Sequence, residues 1–155
     1  MLEPISHGEF ALRVCVATLC GVVIGFERAR DGKSIGMRTL GLVGLASGLL
    51  MAALAQLGAG MDTSGRVIQG LLAGIGFLGA GVVLHGRNDD RPHGITTAAA
   101  VWMTSILGTL AGLGVLGGAL AGAAVAFAIL MLGDHVDRAV QRGPRHRPTD
   151  DRGPQ

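Results

Sequence analysis

The stretch VIQGLLAGIGFLGAGVVL, followed by HGRNDDRPHG and ITTAAAVW, runs from Val67 to Trp102 and decides how the rest of the chain is read. Its first part carries no charge from Val67 to Leu84. At ~1.5 Å per residue that run reaches ~27 Å, close to the hydrocarbon thickness of a bilayer. Gly70, Gly74, Gly76, Gly79 and Gly81 punctuate it. In water so many glycines argue against a helix, since each costs ~1 kcal/mol relative to alanine. In lipid the backbone has no other hydrogen-bond partner, so the helix persists and the glycines become contact surface. Gly70 and Gly74 form a G-x-x-x-G pair and share a face with Gly81, while Gly76 and Gly79 fall elsewhere. The sequence therefore predicts a helix smooth on several sides, at the centre of a bundle. A phosphate-binding loop does not fit, because its Gly-Lys-Ser/Thr ending is absent.

Composition agrees with a membrane protein. Charged residues make up 15% of the 155 positions, against about 25% in a soluble domain. Aromatic residues are 3%, with no tyrosine and one tryptophan, so the usual interfacial belt is almost missing. Cys15 and Cys20 have neither zinc-knuckle nor C-x-x-C spacing and read as small packing residues.

Five spans follow from the uncharged runs: 10–26, 39–57, 67–84, 95–113 and 116–133. The last two come from one uncharged stretch, Ile95 to Gly133. As a single helix it would be ~58 Å long, so it must fold back, and Gly112, Gly114, Gly117 and Gly118 mark the turn. Residues 1–9 are polar, with no positive region before the apolar run, so no cleaved signal peptide is expected. Residues 134–155 form a basic tail, expected to fray after about Arg142. Arg13, one turn inside the first span, is expected to snorkel to the interface. The fold class is thus all-α, a polytopic bundle of transmembrane helices.

Of the 13 basic residues, all but Arg13 and Arg66 fall in the first loop, the third loop or the tail. The positive-inside rule then puts the N-terminus outside and the C-terminus in the cytoplasm. The tail arginines have no interleaved aromatics, so membrane lipids are the expected partner and nucleic acid is not.

Two blocks resemble the signature of the MgtC/SapB family of bacterial inner-membrane proteins. One is GIGFLGAGVVL (Gly74 to Leu84) with GITTAAAVW (Gly94 to Trp102). The other, GVVIGFERARDGKSIGMRTLGLV (Gly21 to Val43), is similar to the family's IG-x-ER…G-x-RT block. The resemblance covers roughly residues 10–133. It implies functional weight for Glu27, Arg28, Gly36, Arg38 and Thr39 in the first block, and for Gly94, Thr96 and Thr97 in the second. Family members carry Thr or Asn at the position of Thr96. In those with Asn, the amide is assigned to an inhibitory contact with a partner protein.

From the residues themselves, Glu27 and Arg38 are expected to pair across the first loop at the membrane edge. Thr96, Thr97, Thr104 and Ser105 lie on the span after the third loop; Thr97 and Thr104 are seven apart and share a helix face, and these hydroxyls are expected to bond a neighbouring helix or their own i−4 carbonyls. His85, Asp89, Asp90 and His93 cluster in the third loop, but with Arg87 and Arg91 beside them they read as a solvated loop. No metal site, cofactor or catalytic constellation is expected, and hence no enzyme.

The resemblance implies a regulator that acts through other membrane proteins, including the F-type ATP synthase, in adaptation to low Mg²⁺ and in virulence. The chain stops about 22 residues after the last span, so it reads as a short form without the family's C-terminal soluble domain. A homo-oligomer is a further expectation. The rival is a small ion or metabolite transporter or channel, which needs mid-membrane polar groups. Only Gln56, Gln69 and the Thr/Ser set offer them.

Overall fold

The computed structural model describes residues 5–33, 35–84 and 94–141. They form five helices: α1 (His7–Arg30), α2 (Met37–Gln56), α3 (Met61–Leu84), α4 (Ile95–Gly112) and α5 (Leu116–Gln141). All five are long and apolar enough to cross a membrane. Each corresponds to one expected span. The last continues past the expected end at 133 as far as Gln141, and the turn between α4 and α5 falls at 113–115. The tail beyond Gln141 and the third-loop cluster of His85, Asp89, Asp90 and His93 lie outside the described residues.

Local signals set the ends of the helices. Ser6 caps α1 by accepting from the Glu9 amide at 3.2 Å. At the other end of α1, Lys33 N–H donates to the Arg28 carbonyl at 3.0 Å and Gly32 N–H to that of Ala29 at 3.2 Å. This is a Schellman stop, with Gly32 supplying the left-handed φ of +66°. The same pattern closes α2 at Gly58 and α4 at Gly114.

The centre of the bundle is α1, α2 and α4. Gly44 and Gly48 of α2, at G-x-x-x-G spacing, lie against Ala17 of α1 on one side. On the other side they meet α4, where a Cβ on Gly108 would stand 2.7 Å from the Gly44 carbonyl oxygen. Gly112 of α4 lies directly on the Gly48 carbonyl. Gly21 and Gly25 of α1 press against the backbone of Leu40 and Met37. Small residues let these three backbones approach closely, the principal means of helix association where lipid removes the hydrophobic drive. α5 packs on α1 and α4 through buried Ala119, Ala123 and Ala126, at offsets of four and three residues on one face.

The central position expected for the third span is overturned. Of the α4 span 56% is buried, and of the α3 span 6%. A Cβ added at Gly70, Gly74, Gly76 or Gly81 would meet nothing within 4 Å, and at Gly79 it would meet Ala98 of α4 at 3.6 Å. The reason is steric. Gly44 and Gly48 close directly on Gly108 and Gly112, which leaves no room between α2 and α4 for a fourth helix. α3 therefore docks on the outside, chiefly against α4.

Candidate functional site

α1 runs antiparallel to α4. Arg13 Nη1 donates to the Gly112 carbonyl at 3.1 Å, and Gly21 lies against the Thr104 methyl. Carrying that register further along places Arg28 opposite Thr97. Both residues are buried, at the end of the bundle where the first loop sits.

Glu27 and Arg28 are 4% and 1% exposed. Consecutive helical residues do not normally face each other. Here Arg28 Nε donates to Glu27 Oε2 at 2.8 Å and Nη2 to Oε1 at 3.4 Å. The guanidinium also sits in the last turn of α1, where the helix dipole favours a cation. The expected Glu27–Arg38 pair is corrected by this geometry. Arg38 is exposed in the first turn of α2, and the acid is engaged by its own neighbour. The close approach that draws the loop in is made by glycines. A Cβ on Gly25 would stand 2.6 Å from the Met37 Cα, and one on Gly36 3.2 Å from the Ala29 Cβ. Gly36 caps α2 in an extended conformation, and its carbonyl accepts from Leu40 N–H at 3.1 Å.

Gly94 caps α4 with φ +89° and lies against Val82 of α3, 3.1 Å from its carbonyl oxygen to a built Cβ. A side chain there would be strained in both respects. The two threonines after it part company. Thr97 is buried and Thr96 is exposed. Thr39, like Arg38, is exposed. The residues matched by the two blocks thus divide into a buried framework (Glu27, Arg28, Thr97) and an outward set (Arg38, Thr39, Thr96).

Deeper in, hydroxyls line the buried face of α4. Ser105 Oγ and Ser47 Oγ of α2 are 3.1 Å apart, a hydrogen bond that ties the two helices. Thr109 donates to the Ser105 carbonyl at 2.9 Å, its i−4 position. Thr104 is fully buried and its Oγ1 has no partner among the described residues. Sequence reasoning grouped Thr96, Thr97, Thr104 and Ser105 but missed Ser47. Its position between Gly44 and Gly48 was the available signal. Arg13, expected to snorkel, reaches back toward the N-terminal end of α1 and finds partners within the chain there. Its side chain, 11% exposed, pairs with Glu9, donates to the end of α4 and packs on Gly114. Among the described residues no three His, Cys, Asp or Glu side chains converge as metal ligands would.

A profile of the MgtC family matches residues 14–139. The chain belongs to the MgtC family. It is 39% identical over 115 residues to Protein SrpB of Synechococcus elongatus, covering 67% of this chain and 63% of that one. It is 36% identical over 121 residues to Protein MgtC of Salmonella typhimurium, covering 78% and 51%. It is 37% identical over 114 residues to the Putative magnesium transporter YhiD of Escherichia coli, covering 68% and 52%. The chain spans between about half and two thirds of the length of these relatives. No solved structure matches it. Family membership and five apolar helices make it a multi-pass membrane protein.

Proposed function

We propose that this MgtC family protein is a regulator of the bacterial inner membrane, acting through contacts with other membrane proteins and not as an enzyme. The observation that carries the reading is the division of the signature residues. Glu27, Arg28 and Thr97 are buried, whereas Arg38, Thr39 and Thr96 are exposed. A surface presented on a rigid frame suits recognition of a partner. By family resemblance the partner class includes the F-type ATP synthase, and the setting is adaptation to Mg²⁺ limitation and virulence. The distribution of basic residues supports a periplasmic N-terminus and a cytoplasmic C-terminus, with the tail arginines against anionic lipid.

A second reading, an ion or metabolite transporter, draws on the name of the Escherichia coli relative and on the buried hydroxyls at Thr97, Thr104, Ser105 and Ser47. Purification from native membranes separates the two. The regulator yields a stoichiometric membrane-protein partner that is lost on Thr96→Trp or Arg38→Glu, with the fold retained. Solute flux in liposomes holding the purified chain alone overturns the regulator and favours the transporter.

A further inference from the structure

α3 turns away from the bundle a face unlike those the other helices expose. Leu19 and Val23 on α1, Leu49 and Leu50 on α2, and Val125 and Ile129 on α5 are exposed large side chains, as lipid-facing surfaces require. On α3 between Val67 and Val83, only Phe77 and Leu78 are exposed large hydrophobics. The rest of the outward face is made of Gly70, Ala73, Gly74 and Gly76, all exposed. Elsewhere in this protein, glycines in the faces of α1, α2 and α4 mark the places where another backbone lies close.

Smoothness alone does not name an occupant, but the polar residues of the same face do. Asp62 and Arg66 are exposed and one helical turn apart at the start of α3, and Gln69 is exposed one turn further on, inside the uncharged run. Among the described residues no ion pair or hydrogen bond engages these three side chains. Two copies inserted in one membrane have the same orientation, so α3 can meet α3 only in parallel. In a two-fold parallel pair each residue lies near its own counterpart and near residues one turn away. Asp62 of one copy then reaches Arg66 of the other, and the reciprocal pair forms by symmetry. Gln69 meets Gln69, and an amide both donates and accepts. The charge pattern is complementary to itself.

We propose that the outward face of α3 is a homodimer interface. Two copies pair in parallel, with the backbones closest at Gly70 and Gly74 and with reciprocal Asp62–Arg66 ion pairs and a Gln69–Gln69 hydrogen bond above them. This proposal concerns a different surface from Arg38, Thr39 and Thr96, although Gly74 and Gly76 belong to the GIGFLGAGVVL block, and it does not depend on the identity of any regulatory partner.

Oxidative cross-linking of the full chain in native membranes tests it. The background carries Cys15→Ser and Cys20→Ser, because Cys15 is exposed on α1. Ala73→Cys gives a covalent dimer at least about fivefold more abundant than Ile129→Cys, which faces outward on α5. Asp62→Arg and Arg66→Asp each weaken the dimer about tenfold, and the two together restore it to within about twofold, as reciprocal pairing requires. Gly74→Leu abolishes the cross-link while the chain still elutes as a folded monomer. Equal cross-linking at Ala73 and Ile129 overturns the proposal. So does further loss in the combined charge swap, or a cross-link from Ala73→Cys to a different protein in place of a second copy.

Discussion

Gly44→Ala places one methyl group where the backbone of α1 lies. The built Cβ overlaps the Ala17 carbonyl oxygen, stands 3.3 Å from its carbon and lies 3.5 Å from the Gly21 Cα. A carbonyl within a helix cannot swing aside, so α1 and α2 must part by on the order of 1 Å. A gap of that size forfeits roughly a quarter to a half of the dispersion well for each contact across the seam. Overpacking of this kind costs roughly 1–3 kcal/mol, and alanine returns at most ~1 kcal/mol in helix propensity. The expected net loss is about 1–2 kcal/mol. Gly74→Ala is the matched control, since its Cβ meets nothing within 4 Å. It should be neutral, or stabilising by up to ~1 kcal/mol through helix propensity, in the monomer. Unfolding by SDS titration in detergent, followed by the fluorescence of Trp102, the single tryptophan, reads both variants. A larger loss for Gly74→Ala than for Gly44→Ala would refute the placement of α3 outside the packing centre.

Other outcomes follow from the same geometry. Glu27→Gln leaves the Arg28 guanidinium buried without its carboxylate and should cost roughly 3 kcal/mol; in a double-mutant cycle Glu27 couples to Arg28, whereas Glu27 and Arg38 add independently. Coupling to Arg38 instead would reinstate a bridge across the loop. Ser47→Ala strands the Ser105 hydroxyl and costs about 1 kcal/mol, and the double Ser47→Ala/Ser105→Ala change should be milder than the sum when both are measured by SDS titration. Arg13→Met removes the donor to the Gly112 carbonyl and should lower the melting temperature in detergent, with Arg13→Lys recovering part of the loss. Reporter fusions after Gly60 and after Gln155 should report opposite compartments, and the same compartment for both contradicts five spans in the membrane.

The spans were legible because uncharged runs near 30 Å have few uses other than crossing a bilayer, and the ends were legible where Gly32, Gly58 and Gly114 stop helices. The packing order was not. Glycine spacing shows that a helix has a smooth face but not whether that face is used within the chain. The densest glycine run, in α3, lies open, and the sparser pair Gly44 and Gly48 holds the centre. Of the residues in the resembling blocks, Glu27, Arg28 and Thr97 are buried, and Glu27 pairs with Arg28 and not with Arg38. Pairing across a loop is a question of distance, and the bidentate reach of Arg28 back to its neighbour depends on how Gly25 and Gly36 bring α1 and α2 together. Which of Thr96 and Thr97 points inward depends on the rotation of α4, fixed by Gly21 against Thr104 and by Gly108 and Gly112 against α2.

The peripheral seat of α3 has a consequence for biosynthesis. A chain is made from its N-terminus onward, so α1 and α2 can clasp through Ala17 and Gly44 as soon as both are in the bilayer. α3 emerges next, yet the helix it docks on, α4, has not been made. For that interval its open face and its docking face both meet lipid or the insertion machinery. It settles only when α4 arrives and closes on α2, so the third helix to enter the membrane cannot dock until the fourth has been inserted.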